Sequence, residues 1–173
     1  MGIILGSLIN SIEKKSQTKE TFSMPLSNKI ILIDAGHGGW DPGKVAKDNM
    51  NNNINEKDIN LSIAKKLQEY LEQSGAFILM TRSDDSALAD KKIKDMQARK
   101  KICEENNNID LMISIHQNSF VKKNTKGAQV FYYKESNNGK KLAECIQEQL
   151  KINLDKNNNR VAKTNSSYYI LKK

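Results

Sequence analysis

Histidine, proline and cysteine each occur only twice in these 173 residues, tryptophan once, and aromatic residues make up just 6%. Two cysteines, Cys103 and Cys145, are too few for a disulfide scaffold or a cysteine-based zinc site. Each falls in an amphipathic helical pattern, where a small buried thiol is the expected role. No apolar run approaches the ~20 residues that cross a bilayer. With 28% charged residues and a mean hydropathy of −0.65, a polytopic membrane protein is excluded. The length is that of one domain, and a 38% hydrophobic content fills a single core.

Acidic residues are also in deficit, 20 against 28 Lys and Arg, for a formal charge of +8. Such a charge attracts nucleic acid, anionic membrane or an anionic wall polymer alike. The lysines recur with asparagines throughout the chain (Lys14-Lys15, Asn51-Asn52-Asn53, Asn106-Asn107-Asn108, Asn157-Asn158-Asn159) and trace no basic stripe, so nucleic acid is set aside as a partner. Residues 1–28 divide into a short apolar stub, Ile3 to Ile9, and a polar stretch from Asn10 to Ser27. The stub lacks a basic flank and is too short to span a bilayer; it reads either as a signal or anchor remnant with a polar membrane tether, or as a disordered arm.

From Lys29 the chain alternates strand and helix patterns. Ile30 to Ile33 is an unbroken aliphatic run of the kind covered on both faces. A Gly- and Asn-rich loop then reaches Asn55, an N-cap candidate. A helix follows from Glu56 to Gly75 with Ile59, Ile63, Ala64, Leu67, Tyr70 and Leu71 inward. Further strands are expected at Phe77–Met80, Leu111–Ile115, Ala128–Tyr133 and Tyr168–Leu171. Further helices are expected over Asp90–Asn106, with Ile93, Met96, Ile102 and Cys103 inward, and after Asn137, with Leu142, Cys145, Ile146 and Leu150 inward. This order predicts an α/β fold, a mostly parallel central sheet flanked by helices on both faces.

Ligands of such sheets gather at the carboxyl edge of the strands. Both histidines fall there: His37 just past the first strand, His116 directly after the third, with Glu56 at the start of the first helix. Two imidazoles and a carboxylate suit a zinc ion that keeps a position for water. Either histidine alone reads as an ordinary loop residue, and Glu56 alone as a favourable helix-dipole charge; the three together favour the metal. Gly38 to Lys44 has the spacing of a phosphate-binding loop, but Val45 replaces the needed hydroxyl, Pro42 removes an amide and Asp41 would repel phosphate.

The segments Ile33-Asp34-Ala35-Gly36-His37-Gly38-Gly39-Trp40-Asp41-Pro42-Gly43, Asn55 to Leu61, Thr81-Arg82-Ser83-Asp84-Asp85 and Ile113-Ser114-Ile115-His116-Gln117-Asn118-Ser119 together resemble the zinc-dependent N-acetylmuramoyl-L-alanine amidases of amidase type 3. The likeness runs from about Lys29 to the end. It implies that His37, Glu56 and His116 bind Zn²⁺, that Asn118 lines the substrate cleft, and that Asp34, Gly36, Gly38 and Gly39 shape the first ligand loop. Arg82 and Arg99 match the family's arginine positions, with substrate contact and packing both open as roles.

The resemblance further implies hydrolysis of the amide joining N-acetylmuramic acid to L-alanine in peptidoglycan, outside the cytoplasmic membrane. A second catalytic Glu belongs to a segment resembling Leu-Val-Glu-x-Gly-Phe, which residues 29–173 do not match. The expectation is therefore a catalytic domain lacking its last strand and closing helix, whose activity as given is in question. A short chain with an apolar stub and Lys/Asn-rich composition most resembles the spore-cortex, germination-specific members. These work toward muramic-δ-lactam, in the cell wall or in the forespore intermembrane space and cortex, with an activator or regulatory protein as an expected partner. The competing readings are a non-catalytic peptidoglycan-binding or regulatory module and a zinc peptidase.

Overall fold

An aliphatic run without a polar side has to be buried on both faces, and the first strand is. The computed structural model describes residues 24–117 and 125–171. Strand β1 (Ile30–Ala35) lies in the middle of a three-stranded sheet, between β4 (Phe77–Met80) and β5 (Leu111–Ile115), and pairs parallel with both. Ile31, Ile33 and Ala35 project from one face onto Ala64, Leu61, Leu67 and Leu71 of helix α1 (Glu56–Gln73). Leu32 and Asp34 alternate to the other face, where Arg99 of helix α2 (Lys92–Glu105) meets the Asp34 carboxylate at 2.8 Å. The expected α/β arrangement with helices on both faces of a parallel sheet is thus observed.

The inner stripe of α1 differs from the one its aliphatic residues suggest. Glu56, Asn60 and Ala64 are buried, with Leu67 and Leu71 partly so, whereas Ile59, Ile63 and Tyr70 are exposed. The helix is rotated so that polar Glu56 and Asn60 reach the carboxyl edge of the sheet. Asn55 occupies the N-cap position, but its side chain donates to Asp58 instead of capping an amide. At the other end Gly75 closes the helix with φ 94°, where a side chain would also meet Met24.

Helix α2 departs further from expectation. Ile93 and Met96 are exposed, and the buried positions are the charged pair Asp95 and Arg99. A carboxylate inside the sheet needs a countercharge, and satisfying Asp34 outweighs burying two aliphatic side chains. The segment read as a plain loop contains a hairpin, β2 (Val45–Lys47) with β3 (Asn53–Asn55). Its turn is closed by Asp48, which accepts from the amides of Met50 and Asn52, while Asn51 takes a left-handed φ of 65°.

The fourth expected strand shortens to β6 (Phe131–Tyr132). Among the described residues it pairs with β7 (Lys163–Thr164) and not with the main sheet. Helix α3 (Asn137–Asn153) covers β6 and buries Ala143 and Gln147; the Gln147 amide accepts from Val130 N and donates to Ala128 O, as a neighbouring strand would. Tyr168–Leu171 is not a strand: Tyr169–Leu171 forms a 3-10 turn. The Asn165 side-chain Oδ1 accepts from the amides of Ser167 and Tyr168 and bends the chain before it can extend. Both thiols are free. Cys103 is half-buried, and Cys145 is exposed, contrary to expectation, because α3 turns Ala143 and Gln147 inward.

Leu32 is fully buried at the centre of the middle strand. Leu32→Ala is expected to lower unfolding free energy by about 2–5 kcal/mol, measured by urea denaturation; a loss under about 1 kcal/mol would show that this strand is not the core.

Candidate metal centre

Parallel pairing brings the two histidines together. Ala35 lies opposite Ile115, and Gly36 N donates to Ile115 O, so β1 and β5 end side by side. His37 and His116 leave those ends with ring centroids 4.9 Å apart and planes nearly perpendicular. Glu56 reaches them because the start of α1 is tied to the preceding loop, Glu56 N donating to Lys44 O and Lys57 N to Pro42 O. Its Oε1 stands 3.3 Å from His37 Nε2 and 3.2 Å from His116 Nδ1. Within the described residues, these three side chains form a group able to hold a metal ion, with one ligand atom from each lying within 4.8 Å of the others.

Each ligand has its own support. Asp41 Oδ2 accepts from His37 Nδ1 at 2.8 Å, which puts the proton of a neutral imidazole on Nδ1 and leaves Nε2 as a lone pair. Asp41 is itself fixed by the Gly43 amide. Glu56 accepts from Lys44 N through Oε2 and from Gln117 N through Oε1, both at 2.9 Å. Gln117 also donates to Asn60 Oδ1, and Asn60 donates to Gly36 O, closing a ring of contacts from helix to strand end.

Electrostatics follow these contacts. Burial opposes ionisation of Glu56, but the facing imidazoles of His116 and His37, followed by the amides of Lys44 and Gln117, hold its carboxyl well below the usual carboxylate range. Hydrogen bonding to Glu56 raises the His37 imidazole against the effect of burial, and Asp41 adds to the rise. Asp41 resists the effect of its own burial and is held low by His37 and the Gly43 amide.

The donor set fits a divalent cation such as zinc. With Nδ1–H of His37 committed to Asp41, Nε2 and Glu56 Oε1 face one another as two acceptors, an arrangement satisfied only by a shared proton or a cation. The 3.2 and 3.3 Å separations place one nitrogen of each histidine where it could share a cation with Glu56 Oε1. His116 is 46% exposed and opens the group to solvent.

The family model for N-acetylmuramoyl-L-alanine amidase of amidase type 3 matches residues 31–173. The chain belongs to this amidase family. It is 35% identical over 177 residues to the germination-specific N-acetylmuramoyl-L-alanine amidase of Bacillus subtilis, covering 98% of this chain and 72% of that protein. Among solved structures, it resembles the CwlD amidase of Clostridioides difficile in complex with the GerS lipoprotein. That likeness has TM-score 0.74 and 42% identity over 83% of this chain and 76% of that one. It also resembles the amidase AmiC2 of Nostoc punctiforme, with TM-score 0.67 and 30% identity over 85% and 74% of the respective chains.

Among the residues singled out from sequence, His37, Glu56 and His116 converge in this amidase chain. Arg82 is 4% exposed and donates to the carbonyls of Ala35, Gly36, Lys57 and Asp84, which places it behind the ligand loop. Asn118 lies outside the described residues. The supporting roles of Asp41, Asn60 and Gln117 went unread, although their positions carried a signal: Asn60 follows Glu56 by one helical turn, and Gln117 follows His116 directly.

Gly36 has no room for a side chain, since a Cβ there would stand 2.2 Å from the His116 ring. Gly36→Ala is expected to swing His116 away and weaken metal binding at least tenfold with helix content retained; isothermal titration with zinc beside circular dichroism checks this. Metal and proton also compete for His37, whose proton affinity is raised. Zinc affinity should fall about tenfold per pH unit once the pH drops below that raised value, starting above the ordinary histidine value near 6.5. A flat affinity between pH 7.5 and 5.5 would contradict the ligand assignment.

Proposed function

We propose that this chain carries a zinc-dependent amidase domain. It hydrolyses the bond between the lactyl group of N-acetylmuramic acid and L-alanine in peptidoglycan, outside the cytoplasmic membrane. The reading is carried by one observation, the convergence of His37 Nε2 and His116 Nδ1 on Glu56 Oε1 at the carboxyl edge of a parallel sheet. Similarity to a germination-specific amidase supports a place in spore-cortex maturation, on the way to muramic-δ-lactam. Similarity to an amidase solved with a lipoprotein supports a protein partner at the membrane or wall.

Zinc, when bound, polarises the scissile carbonyl and supplies an activated water at neutral pH. The chain's own side chains prepare that site. Asp41 keeps the His37 proton on Nδ1 and so keeps Nε2 available. The amides of Lys44 and Gln117 hold Glu56 ionised and turned toward the histidines. Exposure of His116 leaves one side of the group open to a polymer too large to enter a closed cavity. By the resemblance, Asn118 contacts the substrate in the cleft.

Departure of the L-alanine amine needs a proton. Glu56 and Asp41 are both held by partners of their own, so neither is free to deliver it. The resemblance assigns that proton to a Glu in a segment that residues 29–173 do not match, and a general acid of this kind contributes about 10²-fold to 10⁴-fold in rate.

Purified peptidoglycan incubated with the zinc-loaded chain should yield free muramic lactyl groups and new L-alanine N-termini. Elemental analysis should find stoichiometric zinc in the wild type and none in His116→Ala. Full zinc in that variant would reject the site. Zinc without cleavage would point to the unmatched proton donor, zinc with peptidoglycan binding and no cleavage even when that donor is supplied, to a peptidoglycan-binding module, and cuts within the stem peptide to a zinc peptidase.

A further inference from the structure

His37 adopts φ 64°, the left-handed region that disfavours residues bearing a Cβ, at the point where β1 ends and the ligand must turn toward Glu56. Such a conformation is unfavourable for a residue with a Cβ and persists only where the surroundings over-determine it. Asp41 holds the imidazole at Nδ1, but a ring contact leaves the backbone free to relax. The backbone is held from the opposite side. Arg99, buried on α2, donates from Nη2 to His37 O at 2.7 Å. Its Nη1 donates to Asp34 Oδ1 at 2.8 Å and to Ala35 O at 2.9 Å, and its Nε to Asp95 Oδ2. One planar group thus ties together a carboxylate in the strand, a carboxylate on its own helix, the last carbonyl of the strand and the carbonyl of the ligand residue. Anchoring on Asp34 and Asp95 fixes the plane of the fork, and the direction of Nη2 follows from it.

We infer that Arg99 is a positioning residue for the metal ligand His37. It clamps the left-handed backbone so that Nε2 faces Glu56 and His116 before any metal arrives. The inference rests on the zinc reading above. A lysine in its place preserves the positive charge beside Asp34 but cannot span Asp34 and His37 O together, since an ammonium on a flexible stem has no fork. The same network contains a group that does not touch the ligand: Thr81 Oγ1 donates to Asp34 Oδ1 at 2.8 Å and accepts from Arg99 Nη1 only at 3.5 Å, so its loss leaves the bond from Arg99 Nη2 to His37 O in place. A general loss of stability and a specific loss of ligand placement can therefore be separated.

Zinc dissociation constants by chelator competition, with thermal unfolding of each metal-free variant recorded in parallel, provide the test. Arg99→Lys is expected to bind zinc about tenfold to a hundredfold more weakly than wild type while retaining helix content. Asp95→Asn, which leaves the guanidinium in place but loosens its Nε end, should weaken binding by a smaller factor. Thr81→Val should lower the unfolding temperature and leave the constant within about twofold, the scatter expected of a variant that does not touch the ligand shell. A folded Arg99→Lys that binds as tightly as wild type overturns the inference, as does a Thr81→Val loss equal to that of Arg99→Lys. If Arg99→Lys does not fold, Asp95→Asn decides, and unchanged affinity there overturns it too. A wild-type chain that takes no zinc overturns the zinc reading and this inference with it, whereas zinc in the wild type beside an unaffected Arg99→Lys removes this inference alone.

Discussion

Ala35 stands opposite Ile115 in two parallel strands, and the geometry of the candidate centre depends on that register. Parallel strands end at the same edge, so the residues that leave them emerge as neighbours about 4.8 Å apart. A shift of one residue in either strand would turn one ligand to the opposite face of the sheet. Gly36 follows from the same constraint: it lies where the His116 ring passes over the end of β1, and only a missing side chain lets the ring do so.

The loop that carries His37 is held from behind by cations. Arg82 takes the carbonyls of Ala35 and Gly36, Arg99 those of Ala35 and His37, and Lys57 that of Gly39 while pairing with Asp85. Carbonyl oxygens left at the end of a strand need donors, and here the donors are side chains from α1, α2 and the segment after β4. On the other side of the same loop stand the carboxylates Asp41 and Glu56. Positive groups bind the backbone, while Glu56 faces His37 Nε2 and His116 Nδ1 and Asp41 faces the far nitrogen of His37.

Legibility along the chain tracked how local the determining force was. The strand β1, the helix beginning at Glu56 and the strand β5 were readable because an aliphatic run or an N-terminal signal suffices to specify them. The faces of the helices were less readable. Periodicity assigned Ile59 and Ile63 to the interior of α1, but Glu56 and Asn60 are there, because Gly36 O and the two histidines need polar partners from that helix. Ile93 and Met96 lost the interior of α2 to Asp95 and Arg99 for the same reason, a buried Asp34 that no local pattern announces. The hairpin at Val45–Asn55 and the 3-10 turn at Tyr169 were missed where single side chains, Asp48 and Asn165, capture backbone amides.

Residue order alone specifies the alternation of strands and helices, the class of the fold, and two histidines at strand exits with a carboxylate at a helix start on the same edge. These follow from residue order and from the rule that parallel strands end together. The inward turn of Glu56, the contact of Asp41 with His37 Nδ1, and the service of Arg82 and Arg99 to the backbone of the ligand loop come from packing between elements. Those assignments depend on groups up to 65 positions apart in the chain, such as Asp34 and Arg99, and are set by the need to pair each buried charge and carbonyl.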